Sequence, residues 1–131
     1  MSEIVTAETW LQTTLSADAV LMGKVNGIYA YIAPKEAVYP FVIYRSAPVA
    51  DVMGVGAKRI WVKVRYEVFG IGEGNSVSAL EDIADQIDAD LHAKTGGSVI
   101  SCVRVQPLAG VEVIGEQVFS RLGGLYELQV Q

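Results

Sequence analysis

The sequence feature that most constrains the fold is a strict alternation of side chains over residues 60–69. Every second position is apolar, and the positions between them carry charged or large aromatic side chains. A repeat of two residues is that of a β-strand, whose successive side chains point to opposite faces. The segment therefore predicts a strand with one buried face and one mixed face. The apolar face consists of Ile60, Val62, Val64, Tyr66 and Val68, and the mixed face of Trp61, Lys63, Arg65, Glu67 and Phe69.

The rest of the chain predicts a small sheet covered by helices on one side. Residues 9–22 read as a helix in two pieces with Ser16 capping the second piece, and residues 76–95 carry the apolar stripe of a core-facing helix. Residues 107–121 show no clear period. The order α-β-β-β-α-β-β predicts one α+β domain over residues 1–131, with a mostly antiparallel sheet and helices packed on one face. The further strands are predicted at residues 28–32, 41–47, 99–105 and 125–130.

The composition indicates a chain that associates with other chains. Of its 131 residues 51% are hydrophobic, and the mean hydropathy of +0.34 is high for a soluble monomer. No apolar run approaches the ~20 residues of a membrane helix, and residues 1–20 lack a signal-peptide pattern, so we expect no membrane partner. The apolar excess predicts subunit contacts instead. The only cysteine, Cys102, excludes an internal disulfide and fits assembly in a reducing cytoplasm.

A glycine-rich stretch directly before the alternating strand resembles a phosphate-binding loop. Such a loop needs a helix after it, because backbone N–H groups and the helix N-terminus converge on the anion. Here a strand follows, so we favour a loop between antiparallel strands over residues 47–58, apolar enough to contact a neighbouring subunit. The predicted contact residues are Val52, Met53, Gly54, Val55, Gly56, Lys58 and Arg59.

The second predicted helix carries a stripe of Glu81, Asp85, Asp88 and His92. Carboxylates and an imidazole on one stripe could ligate a metal, so a small metal-binding domain or enzyme using Asp85, Asp88 and His92 is an alternative. The stripe lies beside the apolar arc, where solvated charge belongs, and we favour that interpretation. Cys102 lies in an apolar strand and has no expected histidine partner. We therefore expect a protein that is not an enzyme, with no catalytic residues, no bound metal and no cofactor.

Basic and acidic side chains are concentrated in different parts of the chain, and this distribution has two interpretations. In the first, the basic surface and the acidic surface are both simply exposed to solvent. Alternatively, a basic edge could meet an acidic edge of the next subunit and close a ring head to tail. On the mixed strand face, Trp61 and Phe69 flank basic side chains and are expected to face a protein partner, because the net charge of −5 argues against nucleic acid. The candidate ring-interface charges are Arg45, Lys63, Arg65, Glu81, Asp85 and Asp88.

Residues 15–46 resemble the start of a phage tail terminator, or tail completion, protein. The resemblance is carried by Leu15, Asp18 and Leu21 in a Leu-x-x-Asp-x-x-Leu pattern, and by Tyr39-Pro40 directly before a β-branched strand. It continues through the glycine-bearing loop, the alternating strand, the helix with its apolar stripe, and a final Tyr126-x-Leu128 strand. These motifs span nearly the whole chain and include no catalytic signature.

The resemblance implies a structural virion protein at the head-proximal end of a long tail. Members of this family form rings, usually hexamers, that stop tail-tube polymerisation and offer a surface to the head connector. The implied partners are other copies of the chain, the tail tube protein and the head connector or stopper protein. No sequence-specific nucleic acid is implied, although DNA would pass through the ring. Another head–tail joining protein of similar shape is the alternative that the resemblance leaves open.

Overall fold

The computed structural model describes residues 3–53 and 59–131, with side chains described for residues 3–47 and 61–131. Five strands form one sheet in the order β1-β2-β3-β5-β4. β1 is parallel to β2, and the other neighbours are antiparallel. This arrangement confirms the predicted α+β class and its mostly antiparallel sheet. The elements are α1 (Glu3–Ser16), α2 (Ala19–Met22), β1 (Ile28–Ala30), β2 (Phe41–Met53), β3 (Arg59–Glu73), a 3₁₀ turn (Val77–Leu80), α3 (Glu81–Leu91), β4 (Val99–Ile114) and β5 (Gln117–Val130).

The main core lies between the helices and one face of the sheet. The predicted apolar face of β3 is buried there, from Val62 to Val68, against the buried side chains of α1 and α3. A second, smaller cluster lies on the opposite face, where residues of the 29–39 segment pack on Phe41, Ile43 and Phe69. The helices thus cover one face of the sheet, as predicted, and the other face is only partly covered.

The N-terminal helices differ from the prediction at their ends. α1 begins at Glu3 rather than near residue 9, and it buries Ala7, Leu11 and Leu15 against the sheet. The cap of α2 is Asp18 rather than Ser16, because its carboxylate accepts the backbone N–H of Val20 at 2.9 Å. An Asp at this position satisfies a donor that would otherwise be left unpaired in the first turn.

The predicted loop at residues 47–58 is wrong in its first half. β2 continues to Met53 and pairs with the beginning of β3, with irregularities between Ala47 and Ala50 and between Val52 and Met53. Bulges of this kind disturb the side-chain alternation without ending the pairing, so the sequence pattern is lost while the strand persists. Residues 54–58 lie outside the described residues.

The last two strands are much longer than predicted. β4 extends to Ile114 and β5 begins at Gln117, so the aperiodic residues 107–121 form a hairpin. Its turn includes Gly115, whose φ of 63° is a left-handed conformation that glycine adopts without strain. A register shift between Arg104 and Gln106 exchanges the faces of the following residues, which explains why no continuous alternation is visible in the sequence.

The second predicted helix is shorter than its apolar stripe. It begins as a 3₁₀ turn, continues as α3 from Glu81, and ends at Leu91 rather than near residue 95. His92 is already extended, and its ring Nδ1 accepts the backbone N–H of Arg104 at 3.1 Å. The neighbouring Ala93 N–H donates to the carbonyl of Cys102 at 2.7 Å. These two hydrogen bonds hold residues 92 and 93 along the outer edge of β4, so the helix does not continue beyond Leu91.

Candidate assembly surfaces

The sheet face opposite the helices is organised around the buried side chain of Phe69. Two guanidinium groups lie over its ring, that of Arg45 at 5.2 Å and that of Arg121 at 5.7 Å from the centroid. Cation–π contacts of this kind hold a basic side chain flat against an aromatic one. The Phe69 ring therefore holds both arginine side chains in place on this face. The sequence predicted that Phe69 faces a partner protein, but its side chain is buried.

Ion pairs within the subunit neutralise most of the arginines on this face. Arg45 Nε lies 3.3 Å from Glu67, and Arg65 Nη2 lies 3.0 Å from Glu127 on the neighbouring strand. Cross-strand pairs of this type stabilise a sheet modestly, and they reduce the charge available to a partner. The predicted interface role of Arg45 and Arg65 stays a prediction, but each already has an acidic partner in its own subunit.

Trp61 and Lys63 lie on the same face as Arg65 and are half-buried. The indole Nε1 of Trp61 is buried and has no hydrogen-bond partner among the described residues. Lys63 has no ion-pair partner among the residues whose side chains the structure describes. The prediction that Trp61 faces a partner protein is not tested by this geometry.

The predicted metal-ligand stripe on α3 is occupied by other interactions. Asp88 accepts the hydroxyl of Tyr126 at 3.0 Å and lies 3.7 Å from Arg104, while His92 accepts the Arg104 N–H. Glu81 and Asp85 are exposed. Within residues 3–53 and 59–131, no three His, Cys, Asp or Glu side chains are grouped closely enough to hold a metal ion. The alternative of a metal site on this stripe therefore has no geometric support.

Cys102 is fully buried in the main core beside Leu128. Burial, with a smaller contribution from the charge of Asp88, raises the pKa of its thiol to about 12. A thiol with this pKa stays protonated at neutral pH and reacts slowly. The side chain behaves as a small apolar group, as its position in an apolar strand predicted.

A pair of carboxyl groups, which the sequence did not predict, joins α2 to α3. Asp18 caps α2 and accepts Gln86 Nε2 at 2.6 Å, and the Asp90 side chain lies beside it, with its Oδ2 buried and without another partner among the described residues. Desolvation, and then the hydrogen bond and the charge of Asp18, raise the pKa of Asp90 to about 7, against a smaller lowering by Gln86 and Lys94. The contact with Asp90 lowers the pKa of Asp18. Two carboxyl groups in contact share one proton, because two negative charges side by side repel each other.

We expect this pair to make stability fall as the pH rises from about 4 to about 7. The folded pKa of Asp90 is above its unfolded value of 3.8, so the folded state binds the extra proton between these pKa values. Deprotonation near pH 7 then leaves two charged carboxylates in contact. Asp90→Asn keeps a donor for Asp18 and should flatten this part of the profile in urea unfolding. Asp85→Asn, exposed on the same helix, is the control; an unchanged slope in Asp90→Asn would contradict the shared proton.

Several large apolar side chains are exposed in the hairpin and in the segment after β1. The hairpin ends in Val111, Val113 and Ile114, which are 47%, 67% and 64% exposed. Between β1 and β2, Ile32 is 83% and Val38 62% exposed. We call the hairpin residues 105–118 the distal arm. Sequence reasoning missed the arm; the short alternation of Val111 and Val113 before Gly115 was the available signal.

The predicted contact loop is only partly described. Val52, Met53 and Arg59 belong to the paired ends of β2 and β3, and Gly54, Val55, Gly56 and Lys58 lie outside the described residues. The paired ends of β2 and β3, at Met53 and Arg59, lie at the end of the sheet where β5 finishes, whereas the distal arm lies at the opposite end.

In the described part of the chain, no helix has both the length and the apolar composition that crossing a membrane requires. The apolar side chains of α1 and α3 pack on the sheet.

Comparison with known proteins identifies a solved virion chain with a similar fold. No family model matches the sequence, and no curated protein matches it. The structure is similar to a chain in the solved structure of the virion of a native gene transfer agent (GTA) particle, with a TM-score of 0.61. The similarity covers 92% of this chain and 90% of that chain at 14% sequence identity. The two chains therefore share a fold over nearly their whole lengths.

Proposed function

We propose that this chain is a structural virion protein of a long-tailed phage. In this role it caps the head-proximal end of the tail tube, ends tube polymerisation and provides the surface for head–tail joining. The observation that carries the proposal is the shared fold with a chain of a gene transfer agent virion, since it extends over 92% of this chain. The sequence resemblance to tail terminators, found independently of the fold, supports the more specific role.

The surface of the subunit supports assembly rather than chemistry. The side chains that could react are committed to other contacts: Cys102 is buried and His92 binds a backbone N–H. Exposed apolar side chains lie in the distal arm and in the segment after β1, as expected of a subunit that contacts other chains. We propose a ring, hexameric by the family resemblance, located in the virion tail and assembled in the host cytoplasm.

Within this proposal, the hairpin between β2 and β3 contacts the tail tube. Its predicted contact residues, at positions 52–56, 58 and 59, include the apolar anchors Met53 and Val55. The paired ends of β2 and β3 lie at the end of the sheet opposite the distal arm, so a ring subunit would present different elements to the tube and to the head. The likeness to a virion chain supports a neck protein between tube and head equally well, so that role is the second candidate.

Deleting residues 52–56 is expected to abolish tube capping without unfolding the subunit. Purified tube protein would be polymerised with the wild type or the deletion variant, and tube lengths would be measured by electron microscopy. The wild type should give tubes of limited length with a ring at one end, and the variant should give tubes as long as tube protein alone.

Circular dichroism of the deletion variant controls for folding, because the core residues lie elsewhere in the sheet. Native mass measurement of the wild type, with and without tube protein, gives the number of copies in the ring. A wild-type chain that binds connector but not tube would favour the neck-protein role. A chain that stays monomeric and ignores both partners would contradict the proposal.

A further inference from the structure

We infer that the free edge of the distal arm binds an extended segment of another virion protein, one that alternates apolar and basic side chains. The segment is added to the sheet as a further strand beside β4. This inference rests on the proposed role in head–tail joining. It names the chemistry of the partner at the end of the sheet opposite the paired ends of β2 and β3.

The outer edge of the arm has no backbone partner among the residues that the structure describes. β4 is the last strand of the sheet, and along the arm it pairs with β5 alone. Earlier on the same edge, the Cys102 carbonyl accepts the N–H of Ala93, and the Arg104 N–H donates to His92. Pro107 has no N–H, as is typical of an edge strand. A further strand can therefore be added to the part of β4 that follows Pro107.

The turn of the arm indicates which backbone groups point outward. Two residues join Ile114 to Gln117, which are a directly paired couple. A turn of this length is closed by residues that exchange both backbone hydrogen bonds, and such pairs alternate along an antiparallel ladder with pairs that do not. The backbone N–H and carbonyl groups of Ala109, Val111 and Val113 therefore point away from β5. These are the groups that an added strand uses.

The same part of the arm exposes apolar side chains on the helix side of the sheet. Val111 is directly opposite Ser120, and Val113 is opposite Val118. Directly opposite residues share a face, and Ser120 faces the helix side because its hydroxyl donates to the Ser76 carbonyl. Ser120 is buried under this contact, whereas Val111 and Val113 are exposed. Alternate side chains of an added strand would pack beside these two valines and remove their apolar surface from water.

The opposite face of the arm is held within the subunit. Glu112 forms an ion pair with Arg121 at 2.9 Å, and the ring of Phe119 lies 5.6 Å from that of Tyr39. These contacts hold the arm in its extended conformation before any partner binds. Little conformational entropy is then lost when a strand is added, which favours binding.

Charge indicates the chemistry of the partner. Residues 70–82 and 105–121, which form this end of the subunit, carry five acidic side chains and a single base, Arg121, already paired with one of them. In the segment after β1, Lys35 and Glu36 offset each other. This end is therefore negative, and it attracts a basic segment. The five acidic side chains are all exposed: Glu73, Glu81, Asp82, Glu112 and Glu116.

A second copy of the chain offers no such segment in the part that the structure describes. Its own alternation of apolar and basic residues, at positions 62–65, lies in β3 between β2 and β5. β1, at the other edge of the sheet, has no basic residue. The outer edge of β2 beyond β1 has one base, Arg45, which pairs with Glu67. The partner is therefore a different chain, and within the proposed function it is the head connector.

Titration with synthetic peptides tests the edge directly. The probe is a short peptide that alternates lysine and valine. One control replaces every lysine with glutamate, and another carries N-methyl groups on its central amides. We expect the lysine peptide to shift the amide NMR signals of Ala109, Val111 and Val113. It should bind about tenfold or more tightly than the glutamate peptide, and the N-methylated peptide should not bind.

Three results of this titration would overturn the inference. Equal affinity for the lysine and glutamate peptides would show that charge does not select the partner. Lysine-peptide shifts that leave residues 109–113 unchanged would place the binding elsewhere. Shifts of these amides with protein concentration alone would show that a second copy occupies the edge.

Two variants of the chain test the backbone and the charge separately. Val111→Pro removes one outward N–H without removing a bond to β5, and it should weaken binding of the lysine peptide by about tenfold or more. Val111→Thr keeps the N–H and should bind nearly as well as the wild type. Thermal melting controls for folding. Should the proline variant melt early, Glu116→Lys changes only an exposed charge, with Asp85→Lys on α3 as its control.

Glu116→Lys should weaken binding of the lysine peptide and strengthen binding of the glutamate peptide, and Asp85→Lys should change both much less. A Glu116→Lys protein that binds both peptides like the wild type would contradict the inference. The failures of the two proposals are distinguishable. If rings cap tubes but the arm ignores the lysine peptide, the arm inference is wrong and the proposed function stands. If the arm binds the peptide but the chain never caps a tube, the proposed function is wrong and the arm inference stands.

Discussion

Gly123→Ala is expected to lower the free energy of unfolding by about 3 kcal/mol, which is at the upper end of the range for substitutions that overpack a site. Gly123 faces Phe69 across the β3–β5 pair. A methyl group there would meet the Phe69 Cα at 2.5 Å and also contact the Val68 carbonyl. These are backbone atoms of the central strand, which cannot move without separating the two strands. Thermal melting should show a decrease of roughly 10 °C for a chain of this size.

Gly110→Ala is the matched control for this prediction. It places the same methyl group in the same hairpin, but the nearest atom is Nε of Arg121 at 3.1 Å. Because the flexible Arg121 side chain can move aside, we expect the free energy of unfolding to fall by no more than about 1 kcal/mol. Equal melting temperatures for the two variants would show that β3 and β5 do not approach as closely as described.

Ile87→Ala is expected to cost about 2–5 kcal/mol of unfolding free energy, measured by urea titration. Ile87 lies on α3, is fully buried and packs in the main core between helix and sheet. Its truncation removes apolar contacts and leaves a cavity that the surrounding strands fill only in part. This helix–sheet contact secures α3, whose capping residue makes no side-chain hydrogen bond.

Ile32→Ala makes the identical change at a site that is 83% exposed. We expect the free energy of unfolding to stay within about 0.5 kcal/mol of the wild type. An Ile87→Ala protein as stable as Ile32→Ala would contradict the placement of α3 on the sheet.

Local periodicity predicted the central strand well and its partners less well. The alternation from Val62 to Val68 survives in the structure because this strand lies between two others and has one fully buried face. The ends of β2 and β4 were missed because bulges near Ala47 and Arg104 shift the register there. A bulge exchanges the faces of all later residues, and a pattern read along one strand cannot reveal it.

The candidate surfaces illustrate the same limit. Phe69 was predicted to face a partner because it lies on a mixed strand face, but it is buried, and Arg45, a candidate ring-interface charge, pairs with Glu67 in its own subunit. Those contacts come from neighbouring strands, and sequence spacing does not encode which strands are neighbours. The Asp18–Asp90 pair joins residues far apart in the chain and could not be derived from any local motif.

The sequence by itself determined the order of elements, the buried face of β3 and the helical stripe of α3, because each depends on side chains a few residues apart. Only the tertiary structure decided that residues 107–121 form a hairpin, that His92 and Ala93 hydrogen-bond the outer edge of β4, and that the tip of this hairpin exposes apolar side chains. Those features depend on strand order and register, which are set by packing between distant parts of the chain.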